Sequence, residues 1–151
     1  MISVKRTTPD DPSVLGLIKK LDRELWERYP TNQSFFDAFN KLPEDARVVI
    51  AFDGETPVGC GAFKPLEMPE KAVEIKRMYV DPLVRGRAIG VLLLENLENW
   101  AKEDGFEAAQ LETGDNQPEA IRLYEKGGYQ RIPNYEPYIG VEISLCYGKK
   151  L

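Results

Sequence analysis

Apolar and polar residues alternate over residues 2–6, the two-residue period of a short strand. Beyond them Val14, Leu17, Ile18, Leu21 and Leu25 recur at helical spacing, with Lys19, Lys20, Asp22 and Arg23 between them, which predicts an amphipathic helix to about Arg28. Asp10, Asp11 and Pro12 mark its start, supplying a side-chain cap and a proline suited to the first turn. After Pro30 and Thr31 the residues Phe35, Phe36 and Phe39 predict a short aromatic helix that ends near Pro43. RVVIAF at 47–52 and VGCGAF at 58–63 flank Asp53-Gly54, a dipeptide suited to a tight hairpin turn, so two antiparallel strands are expected. AVEIKRMYV at 72–80 predicts a third strand, stopped at Asp81-Pro82 because proline cannot continue the ladder.

From Ala88 to about Asp104 the set Ile89, Leu92, Leu93, Leu97, Trp100 and Ala101 follows the helical period, and Gly105 is placed to end that helix. AAQLET at 108–113 reads as a strand. The turn GDNQ leads to a helix begun by Pro118 and closed by Gly127-Gly128, and Ile143, Leu145 and Tyr147 alternate in a terminal strand. Strand, glycine-bearing turn, helix and strand make a βαβ crossover, whose two strands are parallel. The expected fold is therefore mixed α/β, a mostly antiparallel central sheet with one parallel pair and flanking helices. Short loops and a length of 151 residues predict a single domain over 1–151.

Composition removes several classes of function. A net charge of −5 lacks the basic footprint of a nucleic-acid binder. No run of eighteen apolar residues occurs and the N-terminal segment carries no apolar core, so neither a membrane span nor a signal peptide is expected and a cytoplasmic location is. The absence of histidine excludes a histidine-based triad or zinc site. Cys60 and Cys146 lack C-x-x-C spacing and read as core thiols, so no metal site is expected. Carboxylates, tyrosines and the backbone are left to carry the chemistry.

VDPLVRGRAIGVLLL at 80–94 sets Gly86 and Gly90 around a helix start, with Arg85 and Arg87 beside them. Free backbone N–H groups converge at such a start, the helix dipole favours negative charge and guanidiniums bind phosphate oxygens, so a pyrophosphate site is one reading. A tight strand-to-helix connection with solvated arginines is the other. Neither G-x-x-x-x-G-K-[ST] nor G-x-G-x-x-G is present, which disfavours an NTPase or a dinucleotide enzyme.

EIKRMYV, the DP that ends it and R-G-R-A-I-G opening a helix resemble motif A of the GCN5-related N-acetyltransferases. QPEAIRLYEKGGYQRI at 117–132 resembles their motif B, A-x-x-L-Y-x-x-x-G-[FY], and the EIK and LETG segments are similar to a bacterial subgroup of mostly uncharacterised members. The order of elements over most of the chain is similar as well. The family pattern [QR]-x-x-G-x-[GA] fits 83–88 only with Leu83 in first place, or 85–90 only with Ala88 in place of a glycine. The resemblance implies an acyl-CoA N-acyltransferase fold, acetyl-CoA as co-substrate and a small-molecule amine as acceptor; homodimers are common among similar proteins. It assigns the backbones of Met78 and Val80 to the pantetheine arm. The amides of Arg85, Gly86, Arg87, Ala88, Ile89 and Gly90 fall to the pyrophosphate, and Asn116 or Gln117 to a further contact with the coenzyme.

A protonated amine cannot attack a thioester, so a base or a water chain is needed near neutral pH. By resemblance Glu74, on the strand entering the donor site, takes that role; it also reads as an ion-paired face residue beside Lys76, and Glu112 on the neighbouring strand is the alternative carboxylate. Tyr124 holds the motif B position of a phenol that protonates the departing thiolate, or packs as an ordinary helix tyrosine. The resemblance gives the Val80 N–H to the carbonyl oxygen. With no histidine to activate a cysteine, direct transfer is preferred to a covalent enzyme intermediate. Trp26, Tyr29, Phe35, Phe36, Tyr135 and Tyr138 are candidates for the acceptor wall. A non-catalytic acyl-CoA-binding module, a peptide or protein N-acetyltransferase and a phosphate-binding protein of unrelated fold are the competing readings.

Overall fold

A computed structural model describes residues 1–151. Strand β1 (Ile2–Thr7) leads into α1 (Pro12–Arg28), where the Asp11 carboxylate accepts from the Ser13 amide and proline opens the first turn. The short helix α2 (Gln33–Asn40) follows, then β2 (Arg47–Asp53), β3 (Thr56–Pro65) and β4 (Ala72–Val80). A 3-10 turn at Pro82–Val84 and a left-handed Ala88, φ +59°, lead into α3 (Ile89–Glu103), which starts one residue later than its periodicity suggests. β5 (Ala108–Gly114), α4 (Pro118–Lys126), the two-residue β6 (Gln130–Arg131) and β7 (Ser144–Lys150) complete the chain. The 3-10 turn and β6 have no signature in the hydrophobic pattern, being too short to show a period.

All seven strands form one sheet in the order β1-β2-β3-β4-β5-β7-β6. Only β4 and β5 run parallel, as the crossover through α3 requires. Because side chains alternate across a strand, β2 buries both faces: Val49 and Ala51 pack with Leu93 and Leu97 of α3, whereas Val48 and Ile50 pack with Val14, Leu17 and Leu21 of α1. Phe36 of α2 joins Tyr138 and Cys146 in a third cluster. No helix is long and apolar enough to cross a membrane.

Two irregularities interrupt the sheet at β4. β4 and β5 pair only from Ala72↔Ala108 to Ile75↔Leu111, so the rest of β4 has no strand on that side and the sheet opens into a wedge. Between β3 and β4 the register slips, with Cys60 opposite Tyr79 but Ala62 opposite Lys76. The extra residue of this bulge includes Arg77 at φ +58°. Opposite it, a Cβ on Gly61 would overlap Met78 Sδ and lie 2.9 Å from Leu97 Cδ1, so only glycine lets Met78 cross there.

Candidate active site

The wedge is a cavity of about 330 Å³. One wall is the unpaired edge of β4 with Met78, Tyr79 and Val80; the turn with Arg85, Gly86, Ala88, Ile89 and Gly90 forms its floor; Gln117, Leu123 and Tyr124 of the α4 segment face them. The turn's amides are available for a ligand. α3 has no side-chain cap at its N-terminus, so the free N–H groups of its first turn have no carboxylate or hydroxyl to satisfy them. Gly86 sits at φ +89° with nothing within 4 Å of the position a Cβ would take, leaving the main chain bare. This fits the diphosphate of a coenzyme, and the unpaired β4 edge fits an extended, amide-bearing arm.

The side chains of the turn behave differently from the expectation of two phosphate-binding guanidiniums. Arg85 lines the cavity, but its Nε donates to the Val80 carbonyl at 2.8 Å and its Nη2 to both Glu24 oxygens at 2.9 and 3.1 Å. Arg87 points away, its Nη1 donating to Asp53 at 3.0 Å across the β2–β3 turn, and the residue does not line the cavity. Glu24 is shared with Arg28, which also reaches Glu119 of α4 and the Asn116 carbonyl. α1 is thereby tied to both banks of the wedge.

Of the two amide side chains, Gln117 lines the cavity and Asn116 does not. The Asn116 main chain is occupied instead, its N–H donating to Tyr29 Oη at 2.6 Å. Tyr124 is 6 % exposed and its hydroxyl makes no hydrogen bond within the protein, yet no buried side-chain oxygen or nitrogen lacks a partner. Its Oη is therefore not sealed within the protein, and burial pushes the phenol well above its ordinary range, so it keeps its proton.

A second, more polar cavity of about 80 Å³ adjoins the first, sharing Leu21, Met78, Gln117 and Tyr124 with it. Glu74, Lys76, Arg77 and Glu112 line it, and through Glu112 and Gln117 it continues into a space of about 50 Å³ under α2. Glu74 is 4 % exposed and already engaged: it accepts from Tyr135 Oη at 2.8 Å and lies 3.5 Å from Lys76 Nζ and 3.8 Å from Lys64 Nζ. Burial pushes the Lys76 ammonium down, with Glu74 opposing that effect. Glu112 accepts a hydrogen bond from Ser144 Oγ at 2.7 Å, but burial outweighs it and raises the carboxyl to about 7.

Among the aromatic candidates, Tyr138 lines this second cavity, Tyr29 and Phe36 line the space under α2, and Tyr135 acts through Glu74. Trp26 and Phe35 are exposed and lie outside both spaces, because their helices turn them to the solvent face. Arg77 is the residue that sequence reasoning missed. Its place in the cavity depends on the bulge, whose only trace in the sequence is the pair of glycines, Gly59 and Gly61, on the opposing strand. Burial pushes the Cys60 thiol up to about 12 and raises Cys146 as well, so neither supplies a thiolate.

The profile described as the acetyltransferase (GNAT) family matches residues 13–129. A protein named IAA acetyltransferase from Azospirillum brasilense is 36 % identical over 151 residues, covering 99 % of this chain and 98 % of the relative. The crystal structure of a Klebsiella pneumoniae protein assigned to the acyl-CoA N-acyltransferases superposes with a TM-score of 0.83 at 31 % identity, over 100 % of this chain and 98 % of that one. The PaiA N-acetyltransferase of Thermoplasma acidophilum, solved in complex with coenzyme A, shares the fold at a TM-score of 0.71 and 17 % identity, over 100 % and 99 % of the two chains.

Proposed function

The chain belongs to the acetyltransferase (GNAT) family and is an acyltransferase; on that premise we propose that it moves the acetyl group of acetyl-CoA directly onto the primary amine of a small molecule within a ternary complex. The observation that carries this reading is the contact between the two cavities at Met78, Gln117 and Tyr124: a donor wedge with bare amides opens onto a small acceptor space lined by carboxylates.

Acetyl-CoA supplies an acetyl group activated as a thioester. The amides from Arg85 to Gly90 hold its diphosphate, the β4 edge at Met78 and Val80 holds its pantetheine arm, and the Val80 N–H polarises the thioester carbonyl. Glu112 takes the proton that the acceptor ammonium must lose. A carboxyl near 7 is half ionised at neutral pH and so combines the right protonation state with useful basicity. Glu74, wrapped by Tyr135 and two lysines, has fewer free lone pairs and serves to hold the lysines in place. As the new C–N bond forms and the C–S bond breaks, the Tyr124 hydroxyl gives its proton to the departing sulfur, and solvent returns it. Buried, protonated thiols at Cys60 and Cys146 speak for transfer without an acyl-enzyme.

The test is release of free thiol from acetyl-CoA across amines, amino acids, short peptides and IAA, the compound in the Azospirillum relative's name. Acetylated product must match released thiol one to one with a small amine. Donor binding with no thiol release for any amine would overturn the reading.

A further inference from the structure

Four charged side chains are linked across the donor wedge, and their charges cancel. The Arg85 guanidinium donates through Nη2 to both Glu24 oxygens at 2.9 and 3.1 Å and through Nε to the Val80 carbonyl at 2.8 Å, and it stands 5.9 Å from the centre of the Tyr79 ring. Glu24, Tyr79, Val80 and Arg85 all line the wedge, as does Glu119 on the opposite bank. Against the effect of burial, its own backbone N–H, Arg28 and the Arg85 charge hold Glu119 below its ordinary value, so the Arg85 guanidinium is felt across the wedge. Arg28 closes the cluster, 2.5 Å from Glu119 and 3.7 Å from Glu24. With two guanidiniums against two carboxylates, this ring offers an entering anion no net positive charge.

A diphosphate on the amides that follow Arg85 lies beside both that guanidinium and the Glu24 carboxylate. Phosphate oxygens match the same planar fork that Glu24 now occupies, whereas the carboxylate repels them. The Arg85–Glu24 pair is about a quarter to a third exposed, so burial does not lock it. Arg28 is placed to keep Glu24 paired when Arg85 turns away, and the exchange leaves no charge alone. The same turn of Arg85 uncovers the Val80 carbonyl, on the β4 edge that fits the pantetheine arm. Resting on the proposed function, we infer that Glu24 competes with the donor's diphosphate for the Arg85 guanidinium, and so sets how tightly the coenzyme is held. The coenzyme takes Arg85 over, and Glu24 closes on Arg28.

Calorimetry with coenzyme A, dephospho-coenzyme A and pantetheine, on the unmodified protein and on Glu24→Gln, tests this. Glutamine keeps the shape of the side chain and removes its charge, so coenzyme A is expected to bind about fivefold more tightly, the upper end for a partly exposed ion pair. Dephospho-coenzyme A, which retains the diphosphate, shows the same gain, and pantetheine, which lacks it, shows none. Glu24→Ala moves the affinity in the same direction. Arg85→Gln weakens coenzyme A binding, and adding Glu24→Gln to it restores little, because the competition needs the guanidinium. A pair that only braces α1 predicts the opposite sign, with pantetheine loosened as much as coenzyme A. Unchanged or weaker coenzyme A binding in Glu24→Gln, a gain absent with dephospho-coenzyme A, or an undiminished gain in the Arg85→Gln background would overturn the inference while leaving amine acetylation intact. No binding of coenzyme A by the unmodified protein would instead refute the donor site on which the inference rests.

Discussion

Glu112→Gln separates the role of this carboxylate in stability from its role in catalysis. A free glutamate titrates near 4.5 and Glu112 near 7, because the fold removes water from its carboxylate faster than Ser144 compensates. A folded value above the unfolded one means the native state holds the extra proton between these limits, so the burial is harmless below about pH 4 and becomes destabilising as pH rises through 7. The gap corresponds to about 3 kcal/mol at about 1.4 kcal/mol per tenfold change, and partial access of water brings it nearer 2 kcal/mol. Glutamine is neutral at every pH and can still accept from Ser144. The variant is therefore expected to match the parent at pH 4.5 and to melt about 4–8 °C higher at pH 8, at about 2–4 °C per kcal/mol for a chain of this size. Activity should move the opposite way. kcat/KM of the parent rises with unit slope to a plateau above about pH 7, and the variant loses this limb and most of its turnover. Thermal melts from pH 4.5 to 8.5, set beside thiol release over the same range, read both. Parallel stability profiles for the two proteins would refute the burial argument, and an unchanged rate limb would remove Glu112 as the base.

Tyr124→Phe keeps the ring packing and removes the titratable hydroxyl at the junction of the cavities, so turnover should fall about 10²-fold with little change in acetyl-CoA affinity by calorimetry. Gly86→Asp adds a side chain at φ +89° and a negative charge beside the proposed diphosphate position; loss of detectable acetyl-CoA binding is expected, and unchanged affinity would place the donor elsewhere. Gly61→Ala forces Met78 and Leu97 aside, so urea denaturation should show a loss of about 1–3 kcal/mol, and KM for the donor should rise because Met78 lines its wedge.

The elements and their faces were legible because they rest on local chemistry. Asp11-Pro12 starts α1, Asp53-Gly54 turns the hairpin, and the period of Ile89, Leu93 and Leu97 places α3 against the sheet. The order of strand, turn and helix was enough to require the parallel pair, and the two motifs placed the Gly86 turn and Tyr124 beside one cavity. The pairing of Arg85 and Arg87 was not legible for a physical reason: two arginines flanking a glycine look alike in sequence, but their partners, Glu24 and Asp53, come from distant segments.

Charge on a side chain belongs to its residue type; the charge a site presents depends on who surrounds it. Glu74 and Glu112 are the same residue on neighbouring strands, and only the packing of Tyr135, Lys64 and Lys76 around one, and dry surroundings with Ser144 around the other, gave them different chemistry. Likewise the alternation of VEIKRMYV predicts a regular strand, and the pairing with β3 through Gly61 is what inserts the bulge and turns Arg77 inward. Period and capping act within a few residues, so the chain alone carries them. Burial, register and ion pairing arise between segments far apart along it, and they are settled only when the sheet and helices close on one another.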